Sequence, residues 1–189
     1  MRAPITVVSG LPRSGTSLVM QVLKAGGMPI LTDSVRVADE DNPRGYFEFE
    51  PAKRLFSDSS WLEQAQGKVV KLVYALLDNL PSVYKYRVII VRRPIEEVLA
   101  SQRQMLTRLG KDMGKLDDAQ LGRIFEIELA RIEQWLAGQS NFSLLSLDYC
   151  ELVTDPQPAL ERTQRFLGAP LDLAAMRQAI DPSLYRQRR

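Results

Sequence analysis

Histidine is absent from this sequence of 189 residues. Its absence excludes catalysis by a Ser-His-Asp triad, metal sites built on imidazole, and a histidine general base. The only cysteine is Cys150, so the chain cannot form an internal disulfide. A chain without disulfides is suited to a reducing compartment, and we therefore expect a cytoplasmic protein.

The sequence also lacks a long apolar run and a strong net charge. No run reaches the ~18 apolar residues that a membrane span requires, and residues 1–4, which precede the first apolar run, are too few for a signal peptide. The 25 Lys and Arg against 23 Asp and Glu leave a net charge of +2, which does not indicate nucleic acid as a partner. A ligand with a few phosphates or sulfates needs only a local cluster of cations.

Short β-branched runs alternate with segments of helical periodicity along the chain. The predicted strands are residues 5–9, 68–73, 87–91 and 142–147, and the predicted helices are residues 16–25, 51–66, 94–106, 119–137, 157–167 and 173–180. This alternation predicts an α/β fold of three layers, in which helices cover both faces of a central parallel sheet. The length suits one domain over residues 1–189, and residues 28–48 form a long polar loop of the kind that often carries function.

The segment Gly10–Ser17 has the G-x-x-x-x-G-x-[ST] pattern of a phosphate-binding loop, and it lies between the first predicted strand and the first predicted helix. Its glycines let backbone N–H groups turn around an anion, and the helix N-terminus adds partial positive charge. The position of the lysine in P-loop kinases is occupied by Thr16, so the usual contact with the β- and γ-phosphates is missing. The cation of this loop is Arg13. A P-loop kinase therefore stays as an alternative that the loop disfavours.

The hexapeptide Pro12–Ser17 resembles the donor-binding loop Pro-[Arg/Lys]-Ser-Gly-Thr-[Thr/Ser] of the sulfotransferases. The resemblance extends over nearly the whole chain and implies the P-loop-like fold of that family. It also implies 3′-phosphoadenylyl sulfate (PAPS) as co-substrate, adenosine 3′,5′-bisphosphate (PAP) as its product, and no metal. In this assignment Arg13 is both a catalytic and a binding residue. The residues assigned to the 5′-phosphosulfate are Arg13, Ser14, Gly15, Thr16 and Ser17.

A second match concerns the 3′-phosphate of the donor. Sulfotransferases bind it with an arginine at a strand end and a serine eight residues later, and Arg93 and Ser101 have this spacing. Arg93 offers a forked, charge-assisted contact and Ser101 offers a hydroxyl. Arg92 is the competing candidate. The segment that begins at Tyr149 resembles the family's Tyr-Glu-Asp-Leu-x-x-x-Pro segment, which implies a place near the adenine; a packing role for this ring is the alternative.

The catalytic candidates come from two further similarities. Lys71 matches the lysine of the family's Lys-x-His segment, whereas Val73 occupies the position of the histidine. In the tyrosylprotein branch of the family a glutamate about twenty residues past the loop arginine is used, and Asp33 lies within one position of it. The resemblance therefore implies that Lys71 stabilises charge on the bridging oxygen and that Asp33 is the general base, with Glu48 and Asp39 as the alternatives.

The C-terminal tail contains the densest cluster of cations in the chain, and Arg186 is predicted to contact the donor; a solvated chain end is the alternative. The acceptor class stays open among small molecules, carbohydrates and peptides, as does the oligomeric state. Together these residues predict the transfer of a sulfuryl group from PAPS to a hydroxyl or an amine. Because Val73 replaces the expected histidine, the main alternative is a catalytically weak or inactive nucleotide-binding protein of the same fold.

Overall fold

The computed structural model describes residues 2–33, 35–39, 42–111 and 117–185. Within these residues the central sheet has four parallel strands, which are β1 (Ile5–Gly10), β2 (Val69–Lys71), β3 (Tyr86–Arg92) and β4 (Phe142–Asp148). Their spatial order is β2-β1-β3-β4. The chain thus leaves β1 toward one side of the sheet and later places β3 on the other side. Such a reversal opens a crevice at the carboxyl ends of β1 and β3.

Helices connect the strands and cover the sheet. The α-helices are α1 (Thr16–Ala25), α2 (Leu62–Ala65), α3 (Ile95–Arg108), α4 (Asp118–Ala137), α5 (Tyr149–Thr154), α6 (Pro156–Leu167) and α7 (Leu173–Gln178). Short 3-10 helices cover Glu50–Arg54, Tyr74–Asn79 and Pro182–Leu184. None of the described helices has both the length and the apolar character needed to cross a membrane.

Alternate side chains of the strands enter two separate hydrophobic cores. Val8, Ile89 and Leu147 face a core that contains residues of α1, α5, α6 and α7. Val7 and Ile90 face a second core, which contains residues of α2, α4 and two of the 3-10 helices. Because both faces of the sheet are covered, its central strands are continuous apolar runs rather than alternating ones. The predicted three-layer α/β fold with a central parallel sheet is confirmed.

The predicted helix at residues 51–66 is wrong. The structure has a 3-10 helix at Glu50–Arg54, and α2 covers only Leu62–Ala65. Between them, Asp58 Oδ1 accepts a hydrogen bond from the backbone N–H of Ser60 at 2.9 Å. Side-chain bonds of this local kind compete with the helical hydrogen-bond ladder, and they interrupt a segment whose composition otherwise suits a helix.

Helix α5 was not predicted, whereas α1 has the predicted bounds. Helix α5 begins at Tyr149, directly after β4. At this start, Asp148 Oδ1 accepts a hydrogen bond from the backbone N–H of Glu151 at 2.8 Å. Six residues are too few to show a helical period in the sequence. The abrupt change from strand to helix places Tyr149 at the carboxyl edge of the sheet, beside the loop that follows β1.

Candidate functional site

The loop between β1 and α1 leaves the N-terminus of that helix open. Gly15 occupies the N-cap position with a φ of 105°, and no described side chain caps the helix there. A Cβ atom on Gly15 would lie 2.3 Å from the ring of Tyr149, so this position requires glycine both for its backbone conformation and for space. The unpaired N–H groups of the first turn and the helix dipole together form a site for an anion.

A cavity of about 270 Å³ opens at this N-terminus, in the crevice between β1 and β3. Among the described residues, its lining includes five cationic side chains and two carboxylates. The cations are Arg13, Arg36, Arg44, Lys71 and Arg93, and the carboxylates are Glu48 and Asp181. The excess of positive charge suits an anionic ligand.

Arg13 and Ser101 are in direct contact, although 88 residues separate them in the chain. Arg13 Nε donates a hydrogen bond to Ser101 Oγ at 3.0 Å, and Ser101 is only 6% exposed on the first half of α3. Both residues line the cavity, as does Arg93. Arg92 does not line it, because its side chain lies against α4 and pairs with Glu133. The geometry therefore favours Arg93 over Arg92 as the second cation of the site.

Arg93 is held in place from several sides. Its Nε donates to Glu97 Oε2 at 2.9 Å, and its Nη1 donates to the backbone carbonyl of Arg13 at 3.2 Å. The guanidinium also lies over the ring of Tyr149, 4.6 Å from the ring centre. The side chains of Arg93 and Glu97 are 7% and 3% exposed, so this is a buried ion pair. Glu97 is not among the residues predicted from the sequence, although a spacing of four residues between an arginine and a glutamate at a helix start is usual for such a pair.

Two of the predicted donor-binding residues, Tyr149 and Ser14, are buried and contact other parts of the protein. Tyr149 is 6% exposed, and its ring packs between the backbone of Gly15 and the guanidinium of Arg93. The ring packs in this way and also lines the cavity, so its predicted place near the adenine stays a prediction. Ser14 is 1% exposed and does not line the cavity; its N–H donates to the carbonyl of Leu11 at 3.1 Å. Its hydroxyl has no partner among the described residues. Ser14 therefore lies beneath the cavity surface, and its backbone hydrogen bond to Leu11 closes a turn of the loop.

Lys71 enters the cavity from the carboxyl end of β2. Its Nζ donates to the backbone carbonyl of Tyr46 and lies 3.5 Å from Ser17 Oγ and 3.8 Å from Glu48 Oε1. Burial removes water from the ammonium and lowers the pKa of Lys71 to about 8, although the charge of Glu48 opposes this shift. A cation in this position, beside the hydroxyl of Ser17, can stabilise negative charge that develops next to the loop.

Asp33 lies outside the lining of the cavity. Its Oδ1 accepts a hydrogen bond from the N–H of Val35 at 3.1 Å, and its Oδ2 accepts one from the N–H of Glu50 at 2.5 Å. Both oxygens thus bind backbone groups and tie two parts of the chain together. Asp39 is also absent from the cavity lining and accepts a hydrogen bond from the hydroxyl of Tyr46 at 2.8 Å.

Glu48 is the carboxylate that faces Lys71 across the cavity. It is paired with Arg36 at 2.8 Å and with Lys53 at 3.0 Å, and its side chain is 16% exposed. Burial raises the pKa of Glu48, but the three neighbouring cations outweigh that effect and lower it overall. Of the three carboxylates considered as general base, only Glu48 lines the cavity in the described part of the chain.

A family model for the sulfotransferase domain matches residues 4–187. The chain belongs to the sulfotransferase family. A search of curated proteins found no match for this sulfotransferase.

Solved structures share its fold. The sulfotransferase domain from the curacin biosynthetic pathway is 16% identical, with a TM-score of 0.56 over 95% of this chain and 78% of that one.

Two further structures have the same fold. A sulfotransferase from Mycobacterium tuberculosis H37Rv is 16% identical, with a TM-score of 0.59 over 95% of this chain and 71% of that one. The sulfotransferase domain of the Synechococcus PCC 7002 olefin synthase is 18% identical, with a TM-score of 0.58 over 98% of this chain and 87% of that one. At these identities the likeness concerns the fold.

Val73 lines the cavity of this sulfotransferase and is 46% exposed, so an apolar side chain stands where the resemblance places a histidine. Arg186 lies outside the described residues, and its predicted contact with the donor stays a prediction. In the part of the chain that the structure describes, no three carboxylate or thiol side chains are grouped closely enough to hold a metal ion.

Proposed function

We propose that this sulfotransferase transfers the sulfuryl group of PAPS to a hydroxyl or amine acceptor and releases PAP. The observation that carries the proposal is the presence of two cations at one crevice. Arg13 lies beside the open N-terminus of α1, and Arg93 lies at the end of β3 with its Nη1 on the Arg13 carbonyl. A nucleotide with anionic groups at both its 5′ and 3′ positions needs two such cations, whereas a 5′-monophosphate needs one.

Each part of the donor has residues suited to it. Arg13 and the backbone N–H groups of residues 15–17 bind the 5′-phosphosulfate. The N–H of Ser14 is already bonded within the loop, so this role falls to the three residues after it. Arg93 binds the 3′-phosphate through its planar fork of donors. Ser101 accepts a hydrogen bond from Arg13 and can donate its own hydroxyl proton to a phosphate oxygen.

Lys71 and Glu48 carry the chemistry on the β2 side of the cavity. Glu48 takes the proton from the acceptor as the new O–S or N–S bond forms. Lys71 stabilises negative charge on the bridging oxygen as the bond from that oxygen to sulfur breaks, and the electron pair of this bond leaves with PAP. Asp33 could serve as the base only after losing its two backbone hydrogen bonds.

The proposal is tested by nucleotide affinity. We expect PAP to bind about ten- to a hundredfold more tightly than AMP in the presence of EDTA, because Arg93 contributes a charge-assisted contact with the 3′-phosphate alone. Isothermal titration calorimetry with PAP, AMP and ATP, each with and without magnesium, measures this preference. Equal affinity for PAP and AMP, or tighter binding of magnesium-ATP, would exclude a PAPS-dependent enzyme.

A second prediction concerns Arg13. We expect Arg13→Ala to weaken PAP binding and to lower turnover by at least ~tenfold, because the variant loses the cation of the loop and its hydrogen bond to Ser101. Arg13→Lys should recover part of the affinity but not the forked contact. Arg165→Ala, at an exposed position on α6, is the matched control. A fully active Arg13→Ala variant would mean that the loop does not bind the donor.

One observation favours a second candidate function, which is nucleotide binding without turnover. Val73 provides no proton acceptor at the position where the resemblance places the catalytic histidine. Both candidates predict the preference for PAP, so only turnover separates them. Release of PAP from PAPS that depends on an acceptor and is lost in Glu48→Gln supports the enzyme; tight PAP binding with no release under any acceptor supports the binding protein.

A further inference from the structure

The C-terminal segment of the described chain, residues 179–185, reaches the buried ion pair of Arg93 and Glu97 behind the cavity. Tyr185, the last described residue, donates a hydrogen bond from its hydroxyl to Glu97 Oε1 at 2.8 Å. The other oxygen of Glu97 accepts the bond from Arg93 Nε at 2.9 Å. The two oxygens of this carboxylate thus have different partners, one just before α3 and one in the C-terminal segment. Cys150 Sγ lies 2.9 Å from the same tyrosine hydroxyl and completes the group.

Tyr185 also contacts Arg93 directly, in addition to its hydrogen bond to Glu97. Its ring centre lies 5.3 Å from the Arg93 guanidinium, and it packs edge-to-face against Tyr149 with 5.2 Å between the ring centres. The Arg93 guanidinium therefore contacts both aromatic rings. Burial and the hydrogen bonds raise the pKa of Tyr185, so its hydroxyl keeps the proton that it donates to Glu97.

The division of the Glu97 oxygens determines where the arginine lies. A carboxylate that loses the donor to Oε1 gains by turning both oxygens toward the guanidinium, since two parallel N–H···O bonds are stronger than one. That rotation would draw the guanidinium toward Glu97 and away from the cavity. The hydroxyl of Tyr185 prevents it by binding Oε1. Arg93 then keeps its second contact, on the carbonyl of Arg13, at the edge of the cavity.

We propose that Tyr185 and Glu97 are positioning residues that set how strongly Arg93 binds the 3′-phosphate of the donor, so that docking of the C-terminal segment determines the selectivity for 3′-phosphorylated nucleotides. This inference rests on the proposed function, which assigns the 3′-phosphate to Arg93. Neither Tyr185 nor Glu97 lines the cavity, so both act through Arg93 and not on the nucleotide itself.

The segment has a second attachment that makes the inference testable. Arg44 donates to the backbone carbonyl of Ala179 at 2.7 Å and to Asp181 Oδ2 at 2.9 Å. These contacts join the segment to Arg44, which lines the cavity together with Asp181. Tyr185→Phe keeps them and keeps the ring packing, and it removes only the hydroxyl. The variant is therefore expected to fold with its C-terminal segment docked.

The experiment compares PAP with AMP on the wild type and on Tyr185→Phe by calorimetry. We expect the variant to bind PAP about tenfold more weakly and AMP with unchanged affinity. AMP, which lacks the 3′-phosphate, is used in place of an Arg93 variant. An Arg93 variant would leave Glu97 buried without its cation and would destabilise the protein. Tyr84→Phe is the matched control. The hydroxyl of Tyr84 also donates to a carboxylate, Glu63 Oε2 at 3.0 Å, but this hydrogen bond is exposed and neither residue lines the cavity.

The outcomes separate the two proposals. A wild type without preference for PAP over AMP overturns the proposed function. A wild-type preference that survives intact in Tyr185→Phe overturns the positioning role alone. Equal weakening of PAP and AMP in Tyr185→Phe also overturns it, because that result means a general loss of structure and not a loss at the 3′-phosphate.

Discussion

Glu48→Gln is expected to lower turnover by about 10²–10⁴-fold while PAP still binds normally. The substitution keeps the size and one oxygen of the side chain but removes its ability to take a proton. Glu48 is the carboxylate candidate that lines the cavity, and its Oε1 lies 3.8 Å from Lys71 Nζ. Measurement of kcat with an accepted hydroxyl or amine, together with PAP affinity by calorimetry, separates loss of chemistry from loss of binding.

The charges around Glu48 determine the expected pH dependence. Its pKa is held below the usual value of 4.5 by Lys53, Lys71 and Arg36, against the effect of burial. Glu48 is therefore ionised at neutral pH, and we expect turnover to fall only when the pH drops below that value. An anionic donor beside Lys71 offsets part of the cationic field and makes the carboxylate a better proton acceptor in the complex.

Asp33→Asn is the matched comparison for Glu48→Gln. Asparagine replaces one acceptor oxygen by an NH₂ group that faces a backbone N–H, at Val35 or Glu50. We expect a loss of about 1–2 kcal/mol in the free energy of unfolding and nearly unchanged kcat. If Asp33→Asn instead loses turnover at normal stability while Glu48→Gln stays active, then Asp33 is the base, as the resemblance implies.

Lys71→Met is expected to lower turnover by about 10²–10³-fold without lowering the stability of the protein. The variant loses the ammonium next to Ser17 Oγ, where we propose that it stabilises charge on the leaving oxygen. Burial of the same ammonium is unfavourable, as its pKa of about 8 indicates. A buried methionine has no such cost. Glu48 keeps its ion pairs with Arg36 and Lys53, and the Tyr46 carbonyl keeps the hydrogen bond from Ser17 Oγ, so the variant should unfold at or above the melting temperature of the wild type. Lys68→Met, three residues earlier and outside the cavity lining, is the control.

The lowered pKa of Lys71 predicts how the stability of the wild type depends on pH. Lys71 has a pKa of about 8 in the folded protein and 10.5 as the reference value, so between these values the unfolded chain binds more protons. Stability from this group therefore rises with pH over that interval, by at most about 3 kcal/mol, and Lys71→Met should abolish the rise. The wild-type kcat/KM should fall above pH of about 8, as the cation is lost. A Lys71→Met variant that is less stable than the wild type at pH 7, or fully active, contradicts this role.

The sequence by itself determined the features that depend on local patterns. The glycines and hydroxyls of Gly10–Ser17 predicted an anion site, and the alternation of strands and helices predicted the parallel sheet that α1 and the other helices cover. The sequence also predicted that Arg93 follows a strand and that Ser101 lies on the next helix; Arg93 directly follows β3, and Ser101 lies in the first half of α3. The predicted parallel sheet and its covering helices are confirmed, because burial within a regular element repeats with the period of that element. The binding roles of the loop, Arg93 and Ser101 stay predictions.

Only the tertiary structure decided which side chains meet. It placed Glu48 and not Asp33 at the cavity, Arg93 and not Arg92 beside the loop, and Tyr185 on the ion pair behind Arg93. The loop of residues 28–48 and the C-terminal segment show no helical or strand periodicity in the sequence, so the sequence does not predict the direction of their side chains. Several of their side chains are oriented by contacts with distant parts of the chain, such as the bond from Arg44 to the Ala179 carbonyl and the bond from Tyr185 to Glu97. These contacts exist only once the fold has brought the distant segments together.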